Sequence, residues 1–145
     1  MYNHAPAGYE CFVCNVVAGE TGDSVVVTEN EQALAIVSRR VWATGPGHVL
    51  VVPKSHYENL YDLEDPAALD IHRLTRRIAI ALKEAVGCDG TSTRQHNEPA
   101  GNQDLWHLHV HVFPRFDGDD LYGSWYRDST FDERLDLAAR LQAVL

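Results

Sequence analysis

The alternation of apolar and polar positions divides the chain into short strands and two long amphipathic segments. Ser24–Thr28 is β-branched and predicts a strand. Glu29, Asn30 and Glu31 predict a turn, and Ala33–Val37 the next strand, so the pair forms a hairpin. Gly45, Pro46 and Gly47 make Ala43–Gly47 a strong break, after which His48–Val52 is a nearly continuous apolar strand stopped by Pro53. From Pro66 to Val86 the residues Leu69, Ile71, Leu74, Ile78, Ala79, Leu82 and Ala85 recur at helical spacing, and Gly87 and Gly90 are stop signals. Thr91–Gln95 predicts a short strand, Glu98–Gln103 a polar loop, and Leu105–Phe113 a cleanly alternating strand ended by Pro114. Phe116–Gly123 is acidic and loop-like. A last helix is predicted over Phe131–Leu145, opened by Thr130 and Glu133 at capping-box spacing. A short helix over Phe12–Ala18 precedes all of this. Residues 1–10 read as a tail and residues 11–145 as one domain. Strands mixed with two main, separated helices predict an α+β fold with a mainly antiparallel sheet.

One segment carries chemistry. In Trp106-His107-Leu108-His109-Val110-His111-Val112-Phe113, strand alternation puts His107, His109 and His111 on one face and Leu108, Val110 and Val112 on the other. The apolar face anchors the strand, whereas the histidine face gains nothing comparable from burial. With 8 His in the chain, chance predicts about 0.02 such triplets. Two plainer alternatives are a solvated, histidine-rich face and a simple metal site.

Composition narrows the setting. The formal charge of −9 argues against general nucleic-acid binding, which needs a basic footprint. It leaves room for a small anionic ligand held by local charge. No apolar run approaches a membrane span, and Met1–Gly8 lacks the basic and apolar regions of a signal peptide, so a cytoplasmic protein is expected. Three cysteines make a disulfide framework a poor fit. Cys11 and Cys14 form C-x-x-C, which is half a zinc site, a redox pair or two ordinary thiols. Cys88 stands alone and fits a small buried role.

His107 to Phe113 resembles the signature of the histidine triad (HIT) family, His-φ-His-φ-His-φ-φ with φ apolar. Three further stretches are similar to that family: Gly47-His48-Val49-Leu50-Val51-Val52-Pro53-Lys54-Ser55-His56, Asn97-Glu98-Pro99-Ala100-Gly101-Asn102-Gln103, and Cys11-Phe12-Val13-Cys14 with Ala18-Gly19-Glu20. The resemblance implies a five-stranded antiparallel sheet, a homodimer, and hydrolysis or transfer at the α-phosphorus of a nucleotide. Substrates in the family include nucleoside phosphoramidates and dinucleoside polyphosphates. It also implies His109 as nucleophile, with its second ring nitrogen held by the His107 carbonyl. His111 and His48 would assist at the phosphate, and Asn97 and Gln103 would lie near phosphate and leaving group. A neutral imidazole is an adequate nucleophile near neutral pH. Some relatives bind structural zinc through such a cysteine pair and two histidines, which here are His56 and His107; no organic cofactor is implied.

Two departures from the family pattern stand out. Many members have an Asp after the second strand that contacts the ribose, where this chain has Val37-Ser38-Arg39-Arg40. Arg39 or Arg40 would then meet additional phosphates. Position 104 is Asp where relatives often have Ser or Thr, and a carboxylate there repels phosphate unless it points away or orients a histidine. Lys54 and Arg115 are further sources of positive potential. Two rival functions are a metal-dependent hydrolase using the triad as ligands and a nucleotide-binding regulator without turnover.

Overall fold

The computed structural model describes residues 2–43 and 45–145; Met1 of the tail and Thr44 of the Ala43–Gly47 break lie outside the described residues. In chain order the elements are α1 (Phe12–Val17), β1 (Val26–Glu29), β2 (Ala33–Val37), β3 (Arg40–Trp42), β4 (Val49–Pro53), α2 (Asp65–Val86), β5 (Gly90–Gln95), β6 (Val110–Arg115), β7 (Tyr126–Asp128) and α3 (Phe131–Gln142). A single 3-10 turn, Pro99–Gly101, lies between β5 and β6. The fold is α+β, as the element pattern predicts.

Five strands form one antiparallel sheet in the order β1-β2-β4-β6-β5. Both faces of its centre are covered, which explains why β2 and β4 are almost wholly apolar. Ala33, Ala35, Val37, Val49 and Val51 point into the main core with Ile71, Leu74, Ile78 and Leu82 of α2 and Leu137 and Leu141 of α3. The alternate residues Leu34, Ile36 and Val52 form a second cluster on the opposite face with Val13 and Val16 of α1. Gly87 closes α2 in the left-handed conformation at φ 73°. The capping box of α3 is complete: Thr130 Oγ1 accepts from the Glu133 amide, and Glu133 accepts from the Thr130 amide.

One expectation is corrected. The triad strand begins at Val110 rather than Leu105 and continues through Pro114 to Arg115. Proline is tolerated there because β4 pairs only as far as Val112, leaving Pro114 flanked by β5 alone. Leu105, Trp106 and His107 bend ahead of the strand and do not join the ladder, and the Leu108 amide donates to the Tyr57 carbonyl at 2.6 Å. The pattern makes no prediction for β3 and β7, which pair into a separate two-stranded sheet with Arg40 opposite Asp128 and Trp42 opposite Tyr126. Three-residue strands carry too little periodicity to be read from sequence. Tyr2, Asn3, His4 and Ala5 of the N-terminal segment touch the domain. A buried Glu58 carboxylate accepts from the His4 and Ala5 amides, and Tyr2 packs edge-on against Tyr61.

Candidate active site and metal centre

Gly47 sets the geometry at the heart of the site. Its φ of 133° suits glycine, and a Cβ there would lie 2.6 Å from Pro114 Cγ. This close approach brings His48, at the entrance to β4, beside β6. His48 stacks on Phe113 with centroids 4.2 Å apart, and its Nε2 lies 2.9 Å from His111 Nδ1.

Along the triad the alternation holds. Leu108 and Val112 enter the main core, with Val110 packed against it, while the histidines line the other face. That face is not solvated: His107, His109 and His111 are 0%, 2% and 8% exposed. Burial is the main cause that lowers each imidazole below its ordinary value of 6.5. His48 falls to about 3 for the same reason. His111 falls to about 2, with His109, His48 and Arg94 adding to the effect. For His109, a bond to the His107 carbonyl and the nearby Asp104 oppose that shift. All four rings are therefore neutral at pH 7.

His109 Nδ1 is 2.8 Å from the His107 carbonyl. A carbonyl only accepts, so Nδ1 carries the proton and Nε2 holds a free lone pair. That Nε2 sits 3.9 Å from Asp104 Oδ1. Asp104 also pairs with Arg40 Nη1 at 3.3 Å, so its carboxylate faces the site rather than pointing away. A cleft opens here, with Phe12, Leu50 and Leu105 as apolar walls and His48, His109, His111, Ser38, Arg39 and Arg40 as polar ones.

The other residues singled out from sequence have partners of their own. Arg39 pairs with Asp23 at 2.7 Å, Lys54 with Glu29 at 3.1 Å, and Arg115 holds Asp119 and Ser92. Asn97 accepts from the Leu60 amide at 2.8 Å and bonds Gln95. Gln103 is buried, accepts from the Glu98 amide at 2.8 Å and donates to the Leu105 carbonyl at 3.0 Å. Both therefore shape the loop in which Glu98 and Asn102 adopt positive φ. Arg94 was missed by sequence reading. It lies opposite His111 in the β5–β6 ladder, a placement that only strand register supplies.

A second centre adjoins the triad. Cys11, Cys14, His56 and His107 bring one ligand atom each to within 4.8 Å of one another. Cys11 Sγ is 3.3 Å from His107 Nδ1, and Cys14 Sγ is 3.4 Å from His56 Nδ1 and 3.8 Å from His107 Nδ1. Tetrahedral zinc, with bonds of about 2.3 Å to sulfur and 2.0 Å to nitrogen, spaces its donors by roughly 3.3–3.8 Å. His107 Nε2 donates to the Pro53 carbonyl at 2.9 Å, which frees Nδ1 as the ligand atom. Burial and the adjacent Cys11 sulfur push the Cys14 thiol up to about 11, so two thiolates side by side require a cation. The donor set and spacing suit structural zinc. His109 and His111 lie outside this group of donors.

Comparison with known proteins identifies the family and the fold. The HIT domain family model matches residues 20–118. "Protein hit" of Bacillus subtilis is 30% identical over 84% of this chain and 82% of its own length. The Schizosaccharomyces pombe protein named adenosine 5'-monophosphoramidase hnt1 is 30% identical over 72% of this chain and 74% of its own. The crystal structure of a zinc-bound histidine triad family protein from Mycobacterium smegmatis superimposes with a TM-score of 0.80 at 31% identity, covering 93% of this chain and 92% of that one. A fold with a five-stranded antiparallel sheet, a buried histidine face and a family match over most of its length make this chain a member of the histidine triad family.

Proposed function

We propose that the protein is a nucleotidyl hydrolase or transferase in which His109 attacks the α-phosphorus of a nucleotide and forms a covalent nucleotidyl-histidine. The observation that carries this reading is the fixed tautomer of His109. Its Nδ1–H is tied to the His107 carbonyl, and its Nε2 faces the cleft as a neutral nucleophile. His48 Nε2 and His111 Nδ1 share a hydrogen bond of 2.9 Å; with His48 as its donor, His111 keeps a proton on its own Nε2 and donates it to a non-bridging phosphate oxygen. Phe12, Leu50 and Leu105 give the nucleoside an apolar wall. Asn97 and Gln103 hold the loop that carries Asp104 into position.

In this reading Cys11, Cys14, His56 and His107 hold a structural zinc, which pins α1 to the triad segment and fixes the His107 carbonyl. The protein acts as a cytoplasmic homodimer. Support for the dimer comes from β5, an edge strand of the sheet, beside a groove lined by Leu63, Ile71 and Val110.

The test compares wild type with His109→Asn on adenosine phosphoramidate, guanosine phosphoramidate and diadenosine polyphosphates. Release of nucleoside monophosphate by wild type alone is expected, with a nucleotidyl adduct on His109 in quenched reactions. Equal rates in both proteins would remove His109 as the nucleophile. Tight nucleotide binding without turnover would make the protein a regulator.

A further inference from the structure

Beyond His111 the site continues into a second chamber, bounded by Arg40, Trp42, Arg94, His96, Asn102 and Asp104. It meets the cleft of His109 at Arg40, Asp104 and His111, which line both. Arg94 stands opposite His111 on the adjacent strand, so the two side chains rise from the same face. Its guanidinium lies 4.8 Å from the Phe113 ring centre, 5.1 Å from Tyr122 and 5.8 Å from Trp42. Among the described residues Arg94 meets no carboxylate, and its buried Nε and the indole Nε1 of Trp42 have no hydrogen-bond acceptor. Aromatic faces favour a cation but accept none of its directed hydrogen bonds. Unmatched donors of this kind are costly in a packed interior. In a chain of net charge −9, this corner concentrates positive charge beside the nucleophile.

Asp104 occupies the junction. Its carboxylate lies 3.3 Å from Arg40 and 3.9 Å from His109 Nε2, where an incoming anion would sit. Asp104 and Arg40 are both about half exposed, so the pair separates at little cost.

The geometry points to the Arg94 chamber as a subsite for an anionic leaving group, a phosphate or polyphosphate chain, with Arg40 exchanging Asp104 for that anion when it enters. This rests on the covalent reading of His109. The lone pair of His109 Nε2 forms the N–P bond while the P–O bond to the leaving group breaks. The electron pair stays on the departing oxygen, which leaves as a phosphate anion without taking a proton. Arg94 and Arg40 offset its charge. Water then attacks phosphorus, the N–P pair returns to Nε2, and the proton of the water passes to solvent. An amine leaving group needs a proton and presents no negative charge to the two arginines. Substrates of the dinucleoside polyphosphate type are therefore favoured over phosphoramidates.

The experiment measures kcat/KM for diadenosine tetraphosphate and adenosine 5'-phosphoramidate in wild type, Arg94→Gln, Arg94→Lys and Asp104→Asn. Alongside, calorimetry follows tripolyphosphate binding to His109→Asn with and without Arg94→Gln. The loss on the tetraphosphate in Arg94→Gln should exceed that on the phosphoramidate at least tenfold, with partial recovery in Arg94→Lys. Asp104→Asn should lower KM for the tetraphosphate several-fold. Tripolyphosphate binding should weaken at least tenfold without Arg94. Equal losses on both substrates, or tripolyphosphate binding indifferent to Arg94, would reduce that arginine to a packing element. If wild type turns over neither substrate, the covalent reading fails, while tripolyphosphate binding still decides the subsite. Should Arg94→Gln not fold, Arg94→Lys and the wild-type substrate ratio carry the test.

Discussion

Replacing Gly47 by alanine probes the contact on which the active face depends. The new Cβ would stand 2.6 Å from Pro114 Cγ and 3.3 Å from Leu82 Cδ2, on a backbone held at φ 133°. Ordinary contact begins at 3.4 Å, so the Pro114 ring is short of room by 0.8 Å. Proline cannot rotate away, and it is fixed in the ladder opposite Thr91. A strained backbone costs about 1–3 kcal/mol and overpacking about 1–3 kcal/mol more, so Gly47→Ala should lose roughly 2–6 kcal/mol. Gly87→Ala is the matched control. Its φ is also positive, at 73°, but a Cβ there meets nothing within 4 Å, and about 1 kcal/mol is expected. Urea denaturation of both variants measures the difference. The structure adds a functional consequence. If the strain is relieved by moving β4 away from β6, His48 parts from His111, now 2.9 Å away, and kcat/KM should fall about 10- to 100-fold. A Gly47→Ala protein no less stable than Gly87→Ala would refute the close-approach argument.

Two further predictions concern the buried histidines and the cysteine pair. His48 and His111 titrate in the folded protein near 3 and 2, well below the ordinary 6.5. The unfolded chain therefore takes up protons first as the pH drops. Their contribution to stability is complete above about pH 6.5 and is lost on acidification toward pH 3, at up to about 1.4 kcal/mol per pH unit for each ring. Urea midpoints at pH 7.5 and 5.5 should differ accordingly, and an unchanged midpoint would contradict neutral burial. Tag-free protein should carry about one zinc per chain, and Cys14→Ser only traces, with a melting temperature lower by several degrees. Substoichiometric metal in the wild type would remove the structural zinc.

Much of the fold is legible in local pattern. Helix α2 announces itself by its apolar stripe and its glycine stop, and α3 by the Thr130–Glu133 box, because these signals act over one or two turns. The split of Leu108, Val110 and Val112 from the histidines follows from strand alternation alone. Gly47 is legible locally as part of a break, whereas its close partner, Pro114, lies 67 positions on.

The sequence by itself determined the order of the helices and of the strands of the large sheet, the histidine face and the C-x-x-C spacing that half a metal site needs. Tertiary structure decided what those residues meet. Cys11 reaches His107 across 96 positions only because α1 docks on the sheet face opposite the main core. Asp104 turns toward His109 and Arg40, and Arg94 rises beside His111, through loop conformation and strand register. The β3–β7 pair, which brings Tyr126 against Trp42, is too short to leave a period. Side-chain direction along a strand repeats every two residues and is written locally. Which strand lies alongside, and which charge faces which, depends on contacts between residues far apart in the chain.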